Sequence, residues 1–142
     1  MDTVSKVTTL LCPSAQPDMD QAVVFGIIGG SISEPRVGYL DRPSRVSDEL
    51  SNFPKEVHPT EVFRIAAPCA ERQCRHFLAG RCSLASRLIK ILPVGESQIP
   101  SCSIRSTCRW WAQEGKQACL RCAQVVTFTI SPSKSMVQVA TP

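Results

Sequence analysis

The chain has 142 residues, 43% of them hydrophobic, with 16 lysines and arginines against 12 aspartates and glutamates, and eight cysteines. That length suits one domain with a modest core and is short for two. No apolar run approaches the ~20 residues of a membrane helix, and Met1–Pro13, with one lysine and a short apolar run at Val7–Leu11, lacks the cleavage pattern of a secretory signal; the expected location is cytoplasmic, without a membrane partner.

Ala22–Ile28 is a continuous apolar, β-branched run ended by Gly29-Gly30, and Arg36–Leu40 follows a turn containing Pro35. The pattern predicts two strands joined as a hairpin with a loop longer than two residues. Asp41–Thr60 is polar, carries Pro43, Pro54 and Pro59, and predicts an irregular segment with a short helix near Ser47–Asn52. Glu61–Ala66 predicts a third strand that delivers Cys69 just past its end. Ser83–Leu92 has Leu84, Leu88 and Ile91 or Leu92 on one helical face, with Ser83 as its cap and Pro93 as its stop. A second helix is predicted from about Cys108 to Gln117, capped by Ser106 or Thr107. Gln124–Ile130 predicts a strand closing the sheet, and Ser131–Pro142 a polar, mobile tail or a weak edge strand at Met136–Val139.

Charge is uneven along this chain. Residues 1–63 hold five basic and nine acidic side chains, residues 64–122 ten basic and three acidic. The basic stretch is also the cysteine stretch. Pro68-Cys69, Cys74-Arg75-His76-Phe77, Gly80 and Cys82 are echoed by Pro100-Ser101-Cys102, Cys108-Arg109-Trp110-Trp111, Gly115, Cys119 and Cys122. Seven cysteines fall inside this duplication and the eighth is Cys12, so two quartets arise if Cys12 joins the first copy.

In a reducing compartment, clustered cysteines more often bind metal than form disulfides. Structural zinc favours two short Cys-x₂₋₄-Cys knuckles, and only Cys119-x₂-Cys122 is one. The wider spacings of Cys69, Cys74 and Cys82, and of Cys102, Cys108 and Cys119, suit ligands at separate corners of an iron–sulfur cluster. Four thiolates around such a core leave net negative charge, which the neighbouring arginines offset and which lowers thiol pKa values.

His76 lies between the cysteines, where the matching position of the second copy is Trp110, which cannot ligate; His76 and Phe77, like Trp110 and Trp111, are expected to shield a centre. The stretch around Cys74–Cys82 resembles CCCH zinc fingers over about a dozen residues, but those place the histidine after the last cysteine, and the resemblance is set aside. Gly26-Ile-Ile-Gly29-Gly30 lacks the rest of a phosphate-binding loop. Asp18 and Asp20 form no acid–base couple, and no nucleophile stands beside a base, so no catalytic constellation is recognised.

The resulting expectation is an α+β fold: a small single domain with an antiparallel β-sheet scaffold, two short helices and two cysteine-rich metal-binding loops. Residues 1–130 form the domain, with an acidic β-rich region over residues 1–63, a basic cysteine-rich region over residues 64–122 and a closing strand over residues 124–130; residues 131–142 are its tail. Cys12, Cys69, Cys74 and Cys82 are expected to hold one [4Fe-4S] cluster, and Cys102, Cys108, Cys119 and Cys122 a second. The function expected is electron transfer or redox or iron sensing with a protein partner. The alternative is a module stapled by Zn²⁺, in which Arg72, Arg75, Arg87, Lys90, Arg105 and Arg109 with Trp110 or Trp111 grip a nucleic acid or an acidic protein.

Overall fold

The structure is a computed structural model that describes residues 9–31, 34–127 and 132–142. It is a small α+β domain built on an antiparallel sheet with short helices. Strands β1 (Leu11–Cys12), β2 (Val23–Gly30), β3 (Pro35–Arg45) and β4 (Phe63–Pro68) assemble in the order β1-β4-β2-β3. The hairpin β2–β3 is the predicted one, extended at both strands. Gly30 sits at its turn with φ +78°, and a Cβ there would lie 2.6 Å from the carbonyl oxygen of Glu34, so the turn admits only glycine without distortion. Consecutive residues of β2 serve different layers, as the pleat dictates: Val24 packs with Ile65 and Ala67 on one side, Phe25 with Ala66 and the helices on the other, and the register shifts between Val24 and Gly26. Strand β4 is buried from Phe63 to Ala67, which explains why it reads as an unbroken apolar run, interrupted only by Arg64.

The remaining elements lie against the Phe25 side of the sheet, apart from the single turn of helix α1 (Val46–Glu49), which seats Val46 on the opposite layer. A short hairpin, β5 (Phe77–Leu78) and β6 (Arg81–Cys82), turns through Ala79 at φ 53° and Gly80 at φ 77°; two positive φ values fit the twist of a two-residue hairpin loop. Helix α2 (Ser83–Ile91) follows at once and buries Ala85 and Leu88. Its N-cap is Cys82 rather than the predicted Ser83, whose hydroxyl instead donates to the His76 carbonyl at 2.6 Å.

Three expectations are corrected here. The single helix predicted for Cys108–Gln117 is two helices, α3 (Arg109–Glu114) and α4 (Lys116–Cys122), because Gly115 at φ 66° and ψ −149° breaks the run. Its cap is Cys108, not Ser106 or Thr107, which belong to a preceding 3₁₀ turn. The tail is neither loose nor a strand at Met136–Val139. It forms helix α5 (Lys134–Ala140), capped by Ser133, whose hydroxyl accepts from Met136 N–H at 3.2 Å, with Val139 buried in the helical core; Met136 and Val139, three residues apart, share the inward face. Residues 124–127 of the predicted closing strand are turn and irregular backbone, and 128–130 lie outside the described residues. The outer position beside β4 is taken by β1, through the pairs Leu11–Pro68 and Cys12–Ala67.

Candidate metal centres

The duplicated phrase is duplicated in backbone as well. In each copy a one-turn 3₁₀ helix, Glu71–Gln73 or Arg105–Thr107, leads into the second cysteine. The N–H of Cys74 closes the first turn onto Glu71 O at 2.8 Å, and that of Cys108 closes the second onto Arg105 O at 3.1 Å. Beyond these cysteines the copies diverge. The first runs through β5–β6 to Cys82, whereas the second enters α3 directly and brings Cys119 and Cys122 along α4. Cys119-x₂-Cys122 is therefore one face of a helix, not the zinc knuckle its spacing allows.

Tertiary structure sorts the eight thiols into two groups. Cys12, Cys69, Cys74 and Cys82 line one cavity of about 420 Å³; Cys102, Cys108, Cys119 and Cys122 line another of about 20 Å³, together with Phe25, Tyr39, Ile104 and Trp110. Cys12 reaches the first group because β1 pairs with β4, and the N–H of Cys69 is bound to Leu10 O at 2.9 Å. Leu11, one residue away, bridges to Cys108 of the second group. None of the eight forms a disulfide. Among the described residues, no three His, Cys, Asp or Glu side chains converge as a single-ion site.

The sulfurs are met by backbone donors. His76 N–H lies 3.4 Å from Cys74 Sγ, and N–H groups of Ser14, of Leu84 and Ala85, of Ile104, and of Trp110 and Trp111 favour the thiolates of Cys12, Cys82, Cys102 and Cys108 respectively. Cys82 and Cys108 each cap the start of a helix, where the unpaired N–H groups collect. Burial opposes ionisation and wins when nothing else is bound: the Cys12 and Cys108 thiols are both pushed up to about 12, by burial first and by neighbouring thiols in addition. A folded pKa raised above the ordinary 9.0 adds stability below that pH and loses it above. The urea midpoint of the metal-free chain is thus expected to fall as pH rises from about 9 toward 12, and a midpoint that stays level would contradict the burial of these thiols.

Arginines line both centres. Arg64 is wholly buried and bridges them: Nε and Nη2 donate to Pro13 O at 3.2 and 2.8 Å beside Cys12, while Nη1 donates to Cys122 O at 2.6 Å and Val125 O at 3.2 Å. Its Nη2 also donates to Cys122 Sγ at 3.3 Å, and its guanidinium lies over the rings of Phe25 and Trp110 at 5.2 and 5.9 Å. No carboxylate among the described residues pairs with it. Arg105 stacks on Trp111, donates to Pro100 O and favours the thiolate of Cys119. Arg109 lies 5.3 Å over Phe77 and pairs with Glu71 at 2.9 Å. His76 receives Arg87 Nη2 at Nδ1, 2.6 Å away, and its pKa is lowered by burial and then by Arg87 and Arg75. A guanidinium donates only, so Nδ1 accepts and the neutral ring carries its proton on Nε2.

Five buried donor atoms among the described residues find no hydrogen-bond partner: Tyr39 Oη, Ser103 Oγ, Arg105 Nε, Arg109 Nε and Trp110 Nε1. Tyr39 and Arg105 line the second cavity, Ser103 follows Cys102, Arg109 lines the first cavity, and Trp110 lines both. For two of them sulfur is the nearest acceptor: Tyr39 Oη lies beside Cys122 and Trp110 Nε1 beside Cys82, and each contact acts on ionisation as a side-chain hydrogen bond does.

The site also uses residues that spacing does not reveal. Gln113 clamps the backbone of Cys82, accepting its N–H at 2.8 Å and donating to its carbonyl at 2.8 Å. Gln113→Leu strands both groups and is expected to cost about 1–3 kcal/mol, read as a lower urea midpoint; an unshifted midpoint would show that the clamp is dispensable. Arg64 had one legible signal, a charge inside an apolar strand. Of the side chains expected to grip a polyanion, Trp110 is buried and Arg87, Arg105, Arg109 and Trp111 are only partly exposed, which leaves Arg72, Arg75 and Lys90 on the surface. Comparison with protein families, characterised proteins and solved structures finds no match.

Proposed function

We propose that the chain is an iron–sulfur protein that carries or senses electrons, with one [4Fe-4S] cluster held by Cys12, Cys69, Cys74 and Cys82 and another by Cys102, Cys108, Cys119 and Cys122. The observation that carries this reading is that four of the five unmet buried donors, on Tyr39, Arg105, Arg109 and Trp110, line the two cysteine cavities. Each unmet donor costs about 1–3 kcal/mol. Cysteine sulfurs stand beside two of these donors, Cys122 by Tyr39 and Cys82 by Trp110, while Arg105 Nε and Arg109 Nε call for further acceptors. The inorganic sulfides of a cluster are such acceptors, and hydrogen bonds to sulfur are a known means of setting its potential; a bare zinc ion adds none. Such clusters exchange single electrons with little movement of the protein. The buried positive charge of Arg64, which donates to Cys122 Sγ, suits a negative metal–thiolate centre at the second quartet, whether zinc or cluster.

Within this reading the residues divide their work. Cys82 and Cys108 anchor the centres to helix starts, Arg64 and Arg105 balance charge at the second quartet, and Phe25, Ile104 and Trp110 keep water from it. Anaerobic purification with metal and sulfide counts tests the proposal. About eight iron and eight acid-labile sulfide per chain are expected for two such clusters, with the broad visible absorption of iron–sulfur protein. One or two zinc ions without sulfide would overturn it.

A further inference from the structure

The two quartets differ in the cavities they line, about 20 Å³ for the second and about 420 Å³ for the first, which the segment from Glu71 to Arg81 borders. Cys74 and Cys82 bound that segment's hairpin, and Phe77 lines the first cavity from within it. Its tip carries Leu78, 72% exposed, the most exposed of the large apolar side chains among the described residues. Around the tip stand Arg72, Arg75 and Arg81, all exposed. The nearby carboxylates are already engaged: Glu71 with Arg109 at 2.9 Å and Glu114 with Arg81 at 3.0 Å. Arg72 and Arg75 take part in no ion pair among the described residues. With three arginines and one glutamate, residues 71–81 carry a net charge of +2.

An exposed apolar point beside two unpaired cations is the composition of a transient docking patch, in which charge steers the encounter and a small apolar contact seats it. We infer that this face of the β5–β6 hairpin receives an acidic one-electron carrier protein and that electrons pass between that partner and the first quartet. This rests on the iron–sulfur reading above. In the reducing direction the partner loses one electron and the first centre gains it; no bond forms and no proton moves.

The test uses the anaerobically purified, reduced full chain with two small oxidants as probes, anionic hexacyanoferrate(III) and cationic hexaammineruthenium(III). Oxidation by the anion is expected to slow with rising ionic strength. In R72E/R75E it is expected to slow about tenfold at low salt, within the usual range of electrostatic steering, while oxidation by the cation speeds up. R42E/R45E, which reverses two exposed arginines on β3, is the control and is expected to leave both rates unchanged. Equal effects of the two double variants, or none, in protein with full iron and sulfide counts would overturn the docking face; a chain without iron would overturn the redox reading itself. Salt-dependent retention of a single-stranded oligonucleotide by the wild type, abolished in R72E/R75E, would assign the patch to nucleic acid and overturn the inference.

Discussion

Arg64→Leu is expected to destabilise the fold by about 3–5 kcal/mol, the cost typical of breaking a buried charged network. The substitution removes the donors to Pro13 O, Cys122 O and Val125 O together, and with them the cation over Phe25 and Trp110. Leucine fills some of the space but satisfies none of those carbonyls. It also leaves the Cys122 side of the second quartet without its buried counter-charge, so iron bound there should fall along with stability. Arg64→Lys separates the two roles. Lysine keeps the charge, but its point-like ammonium cannot span Pro13 O and Cys122 O as the planar fork does; iron is expected to be retained better than stability. Urea unfolding and iron counts on both variants decide the matter. A leucine variant within about 1 kcal/mol of the wild type would mean that Arg64 is not the tie between the two halves.

Cys12→Ala is expected to remove about half of the bound iron and sulfide, since one of two similar clusters loses a ligand. The stability cost should be small beside this, because Cys12 lies outside the two apolar cores and its backbone pairing with Ala67 is unaffected. Cys108→Ala should produce the complementary loss, and it should differ in kind: Cys108 sits in the helical core with Trp110 and Ile104, so its removal also costs packing. Iron, sulfide and visible spectra of the two variants are the readout. Unchanged iron in Cys12→Ala would show that the first centre is completed by some other group.

The sheet hairpin, the strand before Cys69 and helix α2 were legible because each is a local pattern of apolar residues with a clear stop. The tail helix was not, since Met136 and Val139 are too few to mark an apolar stripe and the helix owes its place to burial of Val139 in the helical core. The break at Gly115 was likewise hidden, because a glycine within a helical run states its permissiveness but not its φ.

The cysteine duplication was legible as a count, seven thiols in two phrases and one far away. Two sets of thiols, and the residue types that flank them, can be read from the chain because they are matters of order along it. That Cys12 lies with Cys69, Cys74 and Cys82 could not be read in this way, because it depends on a two-residue strand pairing 55 positions away, Cys12 with Ala67. The same holds for Arg64 and Gln113, whose roles come from carbonyls and cysteines more than 30 residues distant. Non-local hydrogen bonds leave no periodic trace in sequence, and they are what gathers two cysteine phrases and a distant Cys12 into two groups of four thiols, each lining its own cavity.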